Sequence, residues 1–270
     1  MLYIIQAVIL GIVEGITEFL PISSTGHLIV TQKLLGFKDQ HDLYTVVIQL
    51  GAIAAVVWFY RQDLLEKTLG LFRKDTAALN FWKILIVGTI PAGVIGLLLD
   101  KSLEKFTTPL IVAVSLIVGA IVLWAVDNKP VASAEKADGV ETISVKNALL
   151  VGLGQCVAMI PGISRSGATI VSGLAVGLNR PTATALSFYL SIPVLMLASA
   201  YKLAKYHAEI PNITGGYAAL SVGLIVSFMT ALAAVSWLLR YIAHHNFRPF
   251  AIYRFVAGIA ILAIIALDNF

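Results

Sequence analysis

Two short stretches hold most of the groups in this chain that could do chemistry. The first reads E-G-I-T-E-F-L-P-I-S-S-T-G-H from Glu14 to His27, and the second P-G-I-S-R-S-G-A-T from Pro161 to Thr169. Glu14 and Glu18 are four residues apart, so on a helix they stack on one face. Like charges so placed repel, and burial makes this worse, unless a cation lies between them, one carboxyl is protonated, or an arginine pairs with them. A hard divalent cation such as Mg2+ or Ca2+, with Glu14 and Glu18 as ligands, would resolve the conflict. After Pro21 come Ser23, Ser24 and Thr25, at the start of a new helix whose free N–H groups and dipole form an anion cradle. Each serine taken singly is as good a helix N-cap as a nucleophile. His27 follows one turn later, within reach of a reacting oxygen as a general acid or base. A lone histidine on an apolar helix is more often a packing residue, so its case rests on its neighbours.

In the second stretch Gly162 permits close backbone approach, while Ser164, Arg165, Ser166 and Thr169 present donors. The planar fork of Arg165 suits bidentate phosphate binding, and the same residue could serve as counter-ion to Glu14 or Glu18. Arg254, in F-A-I-Y-R near the end of the chain, is a candidate second anion contact. Gln49 and Gln155 are further polar groups in apolar runs. An acidic pair for a metal, a hydroxyl nucleophile, a histidine and an arginine flanked by hydroxyls fit phosphoryl transfer or hydrolysis.

These groups must be positioned by elements that cross a membrane. The chain has 270 residues, 59% hydrophobic and only 13% charged, with a mean hydropathy of +0.89. That is far from a soluble domain, and the apolar runs are continuous rather than alternating, which excludes a β-barrel and leaves helices. Cys156 is the single cysteine, so an internal disulfide framework and a cysteine metal cluster are excluded. The start M-L-Y-I-I-Q has no basic residue before its apolar run and is expected to stay in the mature fold. The net charge of +4 does not point to nucleic acid, because the basic residues sit in short loops beside apolar segments.

Six uncharged runs have spanning length: 43–60, 80–99, 106–126, 181–201, one within 210–239, and 249–267. Four are short or broken, 1–13, 19–32, 147–163 and 166–179, and form two adjacent pairs split by Pro/Ser/Gly turns. Each pair reads as a re-entrant hairpin of half-helices, tolerated only where it is buried in protein or lines a cavity. The pairs also look like copies. A shift of 141 positions places Gly11 on Gly152, Glu14 on Gln155, Ser23 on Ser164, Ser24 on Arg165, Thr25 on Ser166 and Gly26 on Gly167. The expected architecture is an all-α integral membrane protein with an inverted-topology repeat, six transmembrane helices and two re-entrant pairs. Its parts are a first repeat over 1–126, a cytoplasmic linker over 127–146 and a second, inverted repeat over 147–270, with the two turns meeting at one site. Eleven Lys and Arg fall on one side and six on the other, which makes the first side cytoplasmic and puts both termini and the first pair outside.

The two motifs, together with F-A-I-Y-R, strongly resemble the bacterial undecaprenyl-diphosphatase family, also called the bacitracin-resistance protein, over essentially the whole chain. The resemblance implies an enzyme of the bacterial inner membrane with a site on the periplasmic side. It would remove the terminal phosphate of undecaprenyl diphosphate, giving the lipid carrier used for peptidoglycan, and would confer bacitracin resistance. Carried over by residue, it implies an acidic motif of Glu14 and Glu18, a hydroxyl motif of Ser23, Ser24 and Thr25, the histidine His27, and a phosphate-binding motif of Ser164, Arg165, Ser166 and Thr169. The expected partners are a polyprenyl diphosphate and membrane lipid, with a second copy of the chain as a candidate and no nucleic acid. The expected mechanism has Ser24 attack the terminal phosphorus while His27 manages the proton; attack by His27 itself, or by water that it activates, stays open. A transporter or lipid flippase is the rival class, because inverted repeats with broken helices are common there.

Overall fold

The computed structural model describes residues 1–103, 108–127 and 139–267. Residues 128–138, most of the expected linker, lie outside the described residues, as does Phe106, the expected first residue of the third span. Every regular element among the described residues is helical. In chain order these are α1 (Leu2–Thr17), α2 (Ser24–Leu35), α3 (Leu43–Phe59), α4 (Arg61–Phe72), α5 (Thr76–Leu103), α6 (Pro109–Val126), α7 (Val145–Gln155), α8 (Arg165–Ala175), α9 (Arg180–Tyr206), α10 (Gly216–Ile242) and α11 (Arg248–Ala266). Six of them, α3, α5, α6, α9, α10 and α11, are long and apolar enough to cross a membrane, and they are the six expected spans.

Local chemistry sets the helix ends. Thr108 accepts the Ile111 N–H and Asn179 that of Thr182, each just before a proline in the first turn, where a missing N–H costs nothing. Gly36 ends α2 in the left-handed conformation. α7 stops at Gln155, short of the expected 163, because the chain tightens into a 3-10 turn over Cys156–Met159 before Pro161.

The helices approach closely where they carry glycine. A Cβ on Gly51 of α3 would lie 2.3 Å from the Leu224 carbonyl oxygen of α10, and one on Gly11 of α1 would lie 2.7 Å from that of Gly223. A Cβ on Gly152 of α7 would lie 2.5 Å from the Gly88 carbonyl oxygen of α5. Small residues that let backbones meet replace the hydrophobic driving force that lipid cannot supply. The outward faces are apolar: Ile86, Ile90, Val94 and Leu98 form an exposed stripe on α5.

The basic stretch after the first span, expected as loop, is the helix α4. Its Leu65, Leu69 and Phe72 are exposed on one side, while Asp63 accepts the Tyr189 hydroxyl at 2.6 Å and Lys67 pairs with Glu141 at 3.3 Å. Asp127, buried at the end of α6, makes a second tie. It receives the Arg180 Nε at 2.5 Å and the Phe247 N–H at 2.6 Å, and its backbone carbonyl receives Arg180 Nη2 at 2.9 Å. The start of α9 and the α10–α11 turn are thereby pinned to α6. Asp127→Ala leaves Arg180 buried and unpaired, so it is expected to cost about 3–5 kcal/mol, read as a lower melting temperature in detergent, with Asp127→Asn in between.

Candidate active site

The two helix breaks are built alike. Ser23 and Ser164 cap α2 and α8, accepting the N–H of Gly26 at 3.4 Å and of Gly167 at 3.0 Å. Each cap follows a proline and leaves the first-turn N–H groups facing the break. Gly162 holds φ +92°, and a Cβ there would stand 2.6 Å from the Val112 carbonyl oxygen, so only glycine fits. Ser23 carries φ +72°, an uncommon conformation for a residue with a side chain.

The breaks meet. Arg165 Nη2 donates to Glu18 Oε1 at 3.0 Å, across 147 residues of chain, and Ser166 Oγ donates to the Leu20 carbonyl at 2.8 Å. Ser24 Oγ donates to the other Glu18 oxygen at 2.5 Å. Glu18 remains on the helical path of Glu14, with its N–H bonded to the Glu14 carbonyl at 2.9 Å, so the stacked spacing survives the end of α1. Arg165 is steered by a residue that the sequence did not single out, Ser187 of α9, whose carbonyl accepts Nη1 at 2.9 Å. Thr169 bonds the Ser187 hydroxyl at 2.6 Å and so fixes it. The buried Arg165 Nε has no partner among the described residues.

A cavity of about 720 Å3 opens onto this cluster, lined by Glu18, Ser23, Ser24, Thr25, Ser164 and Arg165. One wall carries Gln32, Thr45 and Gln49 and leads to Asp42 and Lys202, paired at 2.6 Å; the rest is mainly apolar, with Thr89, Gln155 and Tyr201 as its further polar side chains. The other candidate residues stand behind this lining. Ser166 and Thr169 are buried beneath Arg165. Glu14 is fully buried, and neither of its carboxylate oxygens has a hydrogen-bond partner among the described residues. A bare buried carboxylate is relieved by a proton or a cation; the all-oxygen acidic pair is of the kind that hard divalent ions take, although both Glu18 oxygens are bonded to Ser24 and Arg165 and no third acidic or imidazole ligand joins the pair among the described residues.

His27 faces away from the cavity lining. Its Nδ1 meets the Ser23 carbonyl at 2.7 Å and must carry the proton there, so its Nε2 accepts the Tyr253 hydroxyl at 2.7 Å. Tyr253 stands one residue before Arg254 in the F-A-I-Y-R motif, which was the available sequence signal for it. Arg254, expected as a second anion contact, is placed otherwise: it is 2% exposed and donates to the carbonyls of Pro21 (3.2 Å), Gly162 (3.4 Å) and Ser115 (3.4 Å). It therefore holds one carbonyl from each break.

Residues 7–260 match the family described as bacitracin resistance protein BacA. The chain belongs to that family. Among curated relatives it is 46% identical to undecaprenyl-diphosphatase 2 of Rhodospirillum rubrum and 47% identical to undecaprenyl-diphosphatase of Polaromonas naphthalenivorans, each over 264 residues covering 96% of this chain and 94% of the relative. It is 42% identical to undecaprenyl-diphosphatase of Persephonella marina, over 96% of this chain and 98% of that one. In this BacA-family chain the seat of Arg254 is Gly119, where a Cβ would stand 2.0 Å from Nη2. The guanidinium is buried and bonded to three carbonyls, so it has nowhere to swing. Gly119→Ala is expected to cost about 1–3 kcal/mol by overpacking, measured by thermal unfolding, whereas Gly36→Ala, which faces open space, tests only a left-handed helix end.

Proposed function

We propose that the protein is an undecaprenyl-diphosphate phosphatase that returns the carrier undecaprenyl phosphate to cell-wall synthesis. The observation that carries this reading is the triad Arg165–Glu18–Ser24 in a cavity that has both a polar wall and an apolar one, in a chain whose relatives bear that name. An amphipathic cavity suits a ligand with a charged head and a hydrocarbon tail.

The terminal phosphate docks against the Arg165 guanidinium and the first-turn N–H groups of α2 and α8. Ser24 Oγ attacks the terminal phosphorus, and its proton passes to Glu18, the carboxylate that already accepts it. The bond from that phosphorus to the bridging oxygen breaks, and its electron pair leaves on undecaprenyl phosphate. Water then attacks the phosphoserine, a proton returns to Ser24, and inorganic phosphate is released. The geometry favours Glu18 over His27 as proton acceptor, because both His27 ring nitrogens are engaged outside the cavity lining; His27 keeps the Ser23–Ser24 backbone in place. Glu14 and Glu18 would hold Mg2+ or Ca2+, which when bound would offset the charge of the diphosphate.

The proposed topology is two re-entrant pairs within an inverted repeat, with halves 1–126 and 147–270, and matched contacts support it. Gly11 of α1 meets the Gly223 carbonyl of α10 as its counterpart Gly152 of α7 meets the Gly88 carbonyl of α5. The Asp42–Lys202 end of the cavity lies on the side poorer in Lys and Arg, which favours a mouth on the periplasmic face of the inner membrane.

The test is phosphate release from undecaprenyl diphosphate by the purified protein in detergent. Ser24→Ala and Arg165→Ala are expected to lower kcat/KM by at least about 100-fold, and His27→Ala by less than Ser24→Ala. Chelation of divalent ions should abolish turnover, and Mg2+ or Ca2+ should restore it. Full activity in Arg165→Ala, or movement of lipid across vesicles without phosphate release, would sink the reading.

A further inference from the structure

Most glycines of this fold are explained by their surroundings, but two are not. A Cβ on Gly11, Gly51 or Gly152 would collide with a neighbouring backbone, and Gly36, Gly177 and Gly216, which face open space, all carry positive φ. Gly93 of α5 has neither reason: nothing lies within 4 Å of the position its Cβ would take, and its φ is ordinary. At Gly96 the nearest atom would be Met159 Cε, at 3.6 Å. Glycine in a helix interior is unfavourable relative to alanine, so space left by two of them one turn apart is space kept for something else. Both line the cavity, and they are the only glycines among the described residues that do.

The strip they belong to has a direction. Thr89, Ala92, Gly93, Gly96 and Leu97 share one face of α5 by their spacing, over about 12 Å of helix. It begins at buried Thr89 and ends at Leu97, which is 65% exposed on the apolar exterior. Leu197 of α9, also lining the cavity, is 58% exposed. The cavity thus reaches the hydrocarbon-facing surface as well as the polar Asp42–Lys202 mouth. At its inner end stands Gln155, 2% exposed and lining the same cavity. Its Nε2 is spent on the Gly88 carbonyl at 2.7 Å, while its Oε1 has no partner among the described residues.

We infer that Gly93 and Gly96 form the berth for the head-proximal isoprene units of the substrate, with the rest of the chain leaving into the bilayer past Leu97 and Leu197. This rests on the phosphatase reading. It makes the two glycines specificity-determining positions for long prenyl diphosphates.

Steady-state kinetics test it with two substrates, undecaprenyl diphosphate and, as the short one, methyl diphosphate, which carries no isoprene unit. Gly93→Leu and Gly96→Leu are expected to raise KM for the long substrate about 10-fold or more while kcat changes less than about 3-fold, and to leave turnover of the short one unchanged. Gly93→Ala, whose methyl meets no protein atom within 4 Å, is expected to melt no lower than the wild type and to raise KM for the long substrate less than Gly93→Leu does. A wild-type chain photolabelled with a benzophenone-bearing prenyl diphosphate should carry the label on residues 89–97, a readout independent of whether the leucine variants fold. Wild-type KM in both leucine variants, equal losses on both substrates, or a label confined to other helices overturns the inference. Absence of phosphate release by the wild type overturns the phosphatase reading itself.

Discussion

A helix that breaks in a buried place leaves carbonyls and N–H groups that need partners, and this chain breaks two helices against each other. An unpaired backbone group away from water costs as much as a lost hydrogen bond, so the breaks can persist only by satisfying one another. Arg254 supplies most of the missing donors. Its one guanidinium reaches the carbonyls of Pro21 and Gly162, and Ser166 takes that of Leu20. Under the 141-residue shift Pro21 and Gly162 are equivalent positions, so Arg254 treats the two breaks alike. The polar lining of the cavity is set by this junction. Ser24 and Arg165 occupy equivalent first-turn positions, and fixing the two breaks together delivers both to the same carboxylate, Glu18.

The cost of the arrangement lies in its charges. Two carboxylates and two guanidiniums are withdrawn from water around the breaks, and burying an ion pair rarely stabilises a fold relative to apolar packing. Arg165 and Glu18 gain most from each other, with Ser187 and Ser24 satisfying further positions. Glu14 gains nothing comparable, since no donor among the described residues reaches it. Formal charge balances only while the cavity lacks an anion. In the proposed reaction a diphosphate adds negative charge, and the imbalance then falls on the side that Glu14 already occupies, which is the physical argument for the divalent cation proposed with it.

Much of this was legible in the chain because the constraints are strong. Span length, the two Pro/Ser/Gly breaks and their 141-residue echo are dictated by hydrocarbon, and α3, α6 and α11 end within a few residues of where uncharged runs stop. The meeting of Glu18 with Arg165 followed from the same logic. What escaped reading depended on three-dimensional neighbours. Ser187 is one of several serines in an apolar span, and only the fold turns its carbonyl toward Arg165. α4 was hidden because a 12-residue helix with an exposed Leu65–Leu69–Phe72 stripe and four charged residues, Arg61, Asp63, Glu66 and Lys67, reads as a polar loop between spans. Arg254 and His27 were assigned roles by residue type. Their partners, carbonyls in one case and Tyr253 in the other, are invisible in composition.

The same junction bears on the choice between enzyme and transporter, which architecture by itself does not make. A transporter of this general kind works by rocking one bundle against another around a central site. Here such rocking would separate the Pro21 break from the Gly162 break, and Arg254 would lose its carbonyls while remaining buried, as Leu20 would lose Ser166. Each loss leaves a desolvated polar group without compensation. Hydrolysis as proposed asks for no such motion: the Ser24 hydroxyl and the Arg165 guanidinium are already joined through the Glu18 carboxylate. A centre locked by its own backbone requirements is poorly made for alternating access and suits the fixed phosphate site proposed for it.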